Sequence, residues 1–205
     1  MRNIIYLIRH TEIEKNPKTI NENLLLSHYG EDCAEKLARC EELKNLDEIY
    51  SSTYMRAKET AEYIAYESNI EVMQNHAFDE RKIGERTLLV SSWKKKPYSY
   101  TVGQMLDGNL KDEGGESRIE TSERFCKGFN EIVNNTSSKK IAIVSHGAAI
   151  KFFLMNYCSL DKEHNLIFKG RIVCPKKLDY PSIVKIVINN KKIEDIFLIN
   201  TEEKI

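Results

Sequence analysis

At 205 residues the chain has the length of one α/β domain around a single core. Lys plus Arg and Asp plus Glu number 31 each, so the formal net charge is zero and no overall field draws the protein to nucleic acid or an anionic membrane. Any anionic ligand must be held by a local cluster of cations, and no apolar stretch approaches the roughly 18–20 residues that span a bilayer.

The first expected element is a buried strand, Ile4-Ile5-Tyr6-Leu7-Ile8, opening onto Arg9-His10-Thr11. Those polar residues also interrupt the run too early for a signal peptide. Residues 11–26 are polar and irregular, with Pro17 and three Asn. Ser27 then caps a helix whose apolar stripe includes Ala34, Leu37, Ala38 and Leu43. A short strand, Asp47–Ser51, precedes a helix from about Tyr54 to Glu67 with Ala57, Ala61, Ile64 and Ala65 inward. Glu71–Gln74 reads as a third strand.

Residues 76–118 are the least regular stretch, carrying Gly84, Lys94-Lys95-Lys96-Pro97, Gly103, Gly108 and Gly114-Gly115. A segment this long without clear period reads as a lid or substrate-facing insertion with short helical pieces. The lysine run itself reads as a solvated face; the rival reading has one lysine reaching a second substrate anion. A helix over 119–135 follows, through Phe125, Phe129, Ile132 and Val133. The strand Ile141-Ala142-Ile143-Val144-Ser145 closes at His146, and a helix runs from Gly147 to about Tyr157. Ser182–Ile188 and Lys192–Ile199 read as closing strands around an Asn189-Asn190 turn. Strand and helix alternate through most of the chain, which predicts a single domain over 1–205, an α/β/α sandwich of three layers on a mostly parallel sheet.

The five cysteines, Cys33, Cys40, Cys126, Cys158 and Cys174, are odd in number and form no C-x-x-C pair. They are expected to be small buried hydrophobes of a reduced, cytoplasmic protein.

In open α/β sheets, ligands bind beyond the carboxyl ends of the strands. Three strand–turn–helix corners deliver unusual residues there: Arg9 and His10, then Ser51-Ser52-Thr53 with Arg56 in the next helix, then His146-Gly147. Helix N-termini add free N–H groups and a positive dipole end. Two arginines and two imidazoles at such a point suit a phosphoryl dianion. Imidazole is also a good nucleophile, and neighbouring arginines keep its attacking nitrogen unprotonated. A leaving oxygen needs an acid, and spacing leaves Glu80, Asp79, Glu85 and Glu116 all open for that role.

On these residues the chain resembles the histidine phosphatase superfamily, in its phosphoglycerate-mutase-like branch. The family's Arg-His-Gly-Glu element with a following Asn appears as Arg9-His10-Thr11-Glu12 with Asn16. Its Leu-Ser/Thr-x-x-Gly-x-x-x-Ala helix start is Leu26-Ser27 with Gly30 and Ala34. Tyr50-Ser51-Ser52, Arg56-Ala57 and Thr60-Ala61 match the next signature, and Glu80-Arg81-Lys82-Ile83-Gly84 matches the acidic element. Gly114-Gly115-Glu116-Ser117 and Val144-Ser145-His146-Gly147 complete the set in family order.

The resemblance implies a phosphoglycerate-mutase-like fold and a phosphorylated nucleophile at His10. It implies that Arg9, Arg56 and His146 bind the phosphoryl oxygens, that Asn16 with Thr11 and Gly147 lines the substrate, and that Glu80 donates the proton. It implies no metal and no organic cofactor, and a small phosphorylated metabolite as partner rather than nucleic acid or membrane. Thr11 stands where the family usually has Gly, Ile13 where it has Ser or Thr, and Glu85-Arg86-Thr87 where Trp-Glu-Gly often follows the acid. These departures bear on substrate recognition.

Several other patterns are discounted. His28, His76 and His164 lack such context and read as surface or capping residues. Cys33 and Arg39 spell C-x5-R, but the residues between them form a helix without glycine, so no phosphate-cradling loop is expected. There is neither a G-x-x-x-x-G-K-[ST] loop nor a G-x-S-x-G elbow.

The leading expectation is therefore a phosphomonoester hydrolase acting through phosphohistidine. The second is a cofactor-dependent phosphoglycerate mutase; by resemblance, mutases carry a longer insertion and a tail that excludes water, and only residues 200–205 follow the last strand here. The third is a catalytically silent phospho-ligand binding module, supported by Thr11 and Ile13 alone. Nothing in the sequence specifies an oligomeric state.

Overall fold

A computed structural model describes residues 2–14, 21–84 and 97–201. Its main sheet has six strands in the order β3-β2-β4-β1-β8-β9. These are β1 (Arg2–Arg9), β2 (Glu48–Ser51), β3 (Val72–Gln74), β4 (Lys140–Ser145), β8 (Ser182–Asn189) and β9 (Lys192–Ile199). The first four run parallel, while β8 and β9 join β1 antiparallel.

Alternate residues of each strand feed two cores. Ile5, Leu7, Ile141, Ile143, Val184 and Ile186 pack on one face. Tyr6, Ile8, Ile49, Ala142, Val144 and Ile183 pack on the other. Burial on both faces is why β1 and β4 read as unbroken apolar runs rather than alternating ones. Helices α1 (His28–Ala38) and α2 (Met55–Ser68) cover the second face through Leu37, Ala57, Ala61 and Ile64. Helices α4 (Arg118–Asn135) and α5 (Gly147–Leu154) cover the first through Phe125, Phe129, Phe152 and Phe153. The fold is thus the three-layer sandwich expected from the sequence. No described helix is long and apolar enough to cross a membrane.

Helix α1 begins where Ser27 predicts it: the Ser27 hydroxyl accepts the Gly30 N–H at 3.0 Å. Ser27→Ala is expected to lower the unfolding free energy by about 1 kcal/mol, the usual value of such a cap. Urea denaturation with an unchanged m-value checks this; an unchanged midpoint would show the cap to be dispensable. Gly30 is needed for a second reason, since a Cβ there would stand 2.0 Å from the Glu12 carbonyl oxygen. That close approach, with the Glu12 carbonyl accepting the Ser27 N–H at 3.1 Å, holds the segment after β1 against α1.

Four elements differ from the sequence reading. Helix α1 ends at Ala38, so Leu43, expected on its stripe, falls in a separate 3-10 turn, Glu41–Leu43. The β8–β9 turn centres on Asn190-Lys191, both at positive φ, because Asn189 still pairs with Lys192 in the ladder. Helix α5 stops at Leu154, short of Tyr157. Between residues 158 and 181, where no element is expected, lies a small antiparallel sheet of β5 (Ser159–Leu160), β6 (Leu166–Phe168) and β7 (Arg171–Cys174). Strands of two to four residues are too short for an alternating pattern to register. In the irregular region, α3 (Pro97–Leu106) is the one α-helix among the described residues, and Lys94–Lys96 lie outside them.

Candidate active site

Parallel pairing in register brings the two histidines together. Arg9 on β1 lies beside Ser145 on β4, and the His10 N–H donates to the Ser145 carbonyl at 3.0 Å. The next residue of each chain end is then a histidine, and the His10 and His146 rings stand 5.1 Å apart, edge to face. On the other side of β4, the Ser52 N–H donates to the Val144 carbonyl at 2.9 Å, which aligns the end of β2 with the same edge. Arg56, on the first turn of α2, reaches back from that corner.

Hydrogen bonds assign the His10 tautomer. Its Nδ1–H donates to the Thr11 carbonyl at 2.7 Å, while the Arg56 Nε–H donates to Nε2 at 3.1 Å. An acceptor at Nε2 must carry a lone pair, so the ring is neutral with its nucleophilic nitrogen facing the cavity. Burial, then Arg56, then Arg9 hold the His10 pKa well below 6.5. His146 is depressed as well, by burial, then Arg56, His10 and Arg9. Its Nε2–H donates to the Ser52 hydroxyl at 2.8 Å, and that hydroxyl donates to Asp79 at 2.8 Å. His146 Nδ1 is buried and has no hydrogen-bond partner among the described residues, as is also true of Arg9 Nε.

The arginines have provisional acceptors. Arg9 donates from Nη1 to the Leu178 carbonyl, and its guanidinium lies 3.5 Å over the Tyr180 ring. Arg56 donates from Nη1 to the Asn21 carbonyl at 2.5 Å. A phosphoryl group offers stronger, charged acceptors to the same donors. Gly147 permits the approach, because a Cβ there would come within 3.3 Å of the Arg9 guanidinium.

Geometry separates the four acids left open by spacing. Glu80 lines the cavity, and its carboxylate accepts the N–H groups of Ala148 (3.4 Å) and Ala149 (3.0 Å) at the start of α5. Asp79 faces elsewhere, accepting from Ser52, the Thr53 N–H and the Thr53 hydroxyl. Glu116 forms a bidentate pair with Arg124, which also donates to the carbonyls of His76, Ala77 and Asp79. That clamp fixes the segment bearing Glu80. Glu85 lies outside the described residues.

The cavity encloses about 370 Å³. Its lining brings together Arg9, His10, Arg56, Glu80 and Gly147. His146 sits behind His10, fully buried. Thr11 is not at the cavity: its N–H donates to the Thr60 hydroxyl at 3.2 Å and its side chain is buried toward α2. Ile13 does line the cavity, whereas Asn16 lies outside the described residues. His28 and His76 are exposed, in contact with Glu31 and Asp79 respectively.

Sequence reasoning missed the wall formed by Lys151, Lys176, Lys177, Leu178 and Tyr180. The Tyr180 ring stands 5.2 Å from that of His10. Only the Lys176-Lys177 pair was a signal, and a lysine pair is a common surface feature. Among the described residues no group of three or more His, Cys, Asp or Glu is arranged to hold a metal ion.

Two buried imidazoles kept neutral carry a consequence for stability. Their folded-state pKa values lie below the unfolded value of 6.5, so below that pH the unfolded chain binds more protons. Their contribution is fully present above pH 6.5 and is lost as pH falls toward the folded values. Each ring is expected to remove up to about 1.4 kcal/mol per pH unit in that window. Comparing urea midpoints at pH 7.5, 6 and 5 for the wild type and the His10→Gln/His146→Gln double variant checks it. The double variant should show the flatter profile; parallel profiles would contradict the buried neutral pair.

The family model of the histidine phosphatase superfamily (branch 1) matches residues 5–182. Phosphoserine phosphatase 1 of Hydrogenobacter thermophilus is 31% identical over 162 residues, covering 76% of this chain and 75% of that protein. A 2,3-bisphosphoglycerate-dependent phosphoglycerate mutase of Parvibaculum lavamentivorans is 26% identical over 178 residues, covering 81% and 85%. Among solved structures, a mycobacterial glucosyl-3-phosphoglycerate phosphatase in complex with inorganic phosphate superimposes with a TM-score of 0.71 at 16% identity, covering 96% of this chain and 95% of that one. At that identity it speaks for the fold.

Proposed function

The chain belongs to the histidine phosphatase superfamily, branch 1, and on that footing we propose that it hydrolyses a small phosphomonoester through a phosphohistidine at His10. The observation that carries this reading is the bonding of the His10 ring: Nδ1–H on the Thr11 carbonyl leaves the Nε2 lone pair in a cationic cavity.

Nε2 attacks phosphorus as the ester P–O bond breaks. Arg56, releasing His10 Nε2 and the Asn21 carbonyl, and Arg9, releasing the Leu178 carbonyl, turn to the phosphoryl oxygens, whose charge they stabilise in the transition state. His146 Nδ1, buried and unpartnered, takes a proton from solvent as the dianion binds and donates it in a hydrogen bond to a third oxygen. The Thr11 carbonyl stabilises the N–H of the ring as it gains positive character. Glu80, on the cavity wall, stands beside the leaving oxygen and serves as the acid. The acid protonates the departing alkoxide. Its carboxylate then takes a proton from the water that attacks the phosphohistidine, releasing inorganic phosphate and restoring His10.

Relatives of both phosphatase and mutase name make return of the phosphoryl group to a second substrate the alternative. A panel of phosphorylated metabolites, assayed for inorganic phosphate and for transfer to phosphoglycerate, separates the two. Phosphate release with little transfer is expected. Efficient 3- to 2-phosphoglycerate conversion, primed by bisphosphoglycerate, would replace the hydrolase reading with the mutase one. Tight phosphate binding without any phosphoenzyme would leave a silent binding module.

A further inference from the structure

Beyond the phosphoryl end, the cavity wall carries a feature that the reaction above does not use. Lys151 lies on α5 four residues after Gly147, on the same helix face and about 6 Å further along the axis. It lines the cavity yet is only 3% exposed. Its Nζ donates to the carbonyls of Pro175 (2.9 Å) and Lys176, which occupies two of the three N–H donors of an ammonium. No Asp or Glu side chain lies within ion-pair distance of it among the described residues. A buried cation without a counter-ion is costly to maintain, and an anionic ligand offsets that cost.

The surroundings point the same way. Lys176 and Lys177 line the wall beside Lys151, Lys177 with its Nζ 3.2 Å from an Asp179 oxygen, and Glu80 is the sole acidic residue on the described lining. Its carboxylate is already engaged with the start of α5. The chain as a whole is neutral, so this concentration of cations is local. Arg9, Arg56 and His146 suffice for one phosphoryl group.

Resting on the hydrolase reading, we infer that Lys151, with Lys176 and Lys177 beside it, forms a subsite for a second anionic group on the leaving alcohol, a carboxylate or a phosphate. The substrate class is a short alkyl phosphate with an acidic far end. Lys151 reads the leaving group, while the histidines and arginines act on the phosphorus.

Hydrolysis of 3-phosphooxypropanoate is compared with hydrolysis of its neutral carboxamide. Propane-1,3-diol bisphosphate is likewise compared with the monophosphate. The wild type is expected to favour the charged member of at least one pair by roughly tenfold or more in kcat/KM, mainly through KM. Which pair responds identifies the second anion. Lys151→Met should bring that ratio close to one, and Lys151→Arg should preserve it. Ratios near one in the wild type overturn the subsite. So does a Lys151→Met variant that slows both members alike, since that marks a strap holding the loop at residues 175 and 176. Absence of both turnover and an acid-labile phosphoenzyme defeats the hydrolase reading instead. Thermal stabilisation of the protein by the same pairs then decides the subsite independently.

Discussion

His10→Asn is expected to lower phosphomonoester turnover by roughly 10⁴-fold or more while leaving the fold intact, because the described cavity lining holds no other imidazole and no thiol. Asparagine is smaller and polar, and its amide can still donate to the Thr11 carbonyl and accept from Arg56, the two bonds His10 now makes. Arg9, Arg56 and His146 are untouched, so inorganic phosphate should still bind and still raise the melting temperature. The measurement pairs turnover with a phosphoenzyme trap. Wild-type protein quenched during turnover should carry an acid-labile, base-stable phosphoryl group, and the variant none. Undiminished turnover would remove His10 from the chemistry altogether, whatever the geometry around it.

Glu80→Gln separates proton donation from charge. The amide oxygen can keep accepting the Ala149 N–H, the shorter of the two bonds, so the start of α5 stays capped. It cannot deliver a proton to an alkoxide. Alkyl phosphates, whose leaving groups need that proton, are expected to lose about 10²–10⁴-fold in kcat/KM. p-Nitrophenyl phosphate should lose far less, because nitrophenolate departs unaided. The neighbouring acid supplies the contrast. Asp79 anchors Ser52 and Thr53 at the end of β2, so Asp79→Asn should slow every substrate by a similar factor. A Glu80→Gln loss that is uniform across leaving groups would place Glu80 with Asp79, as scaffolding.

Much of the architecture is legible before folding because periodicity reports local burial. The apolar runs ending at His10 and His146, the Ser27 cap and the α2 stripe of Ala57, Ala61 and Ile64 correspond to β1, β4, α1 and α2 in the structure. The small β5–β7 sheet is not legible, since its strands are too short to show a period. Thr11 illustrates the opposite error. Adjacency to a nucleophile in sequence suggests contact with substrate, but successive residues leaving a strand point to opposite sides, and Thr11 turns to Thr60.

By itself, the sequence determined which residues end the strands, that two histidines and two arginines occupy such ends, and which family pattern they spell. Tertiary structure alone decided that β4 lies between β1 and β2, in a register that sets His10 against His146. It also decided which acid faces the cavity, and that Lys151 and Tyr180 form its far wall. The physical reason is range. Alternation and capping depend on neighbours a few residues away, whereas strand order, a carboxylate's hydrogen-bond partners and the charge around a lysine depend on segments more than twenty residues distant, brought together only by packing.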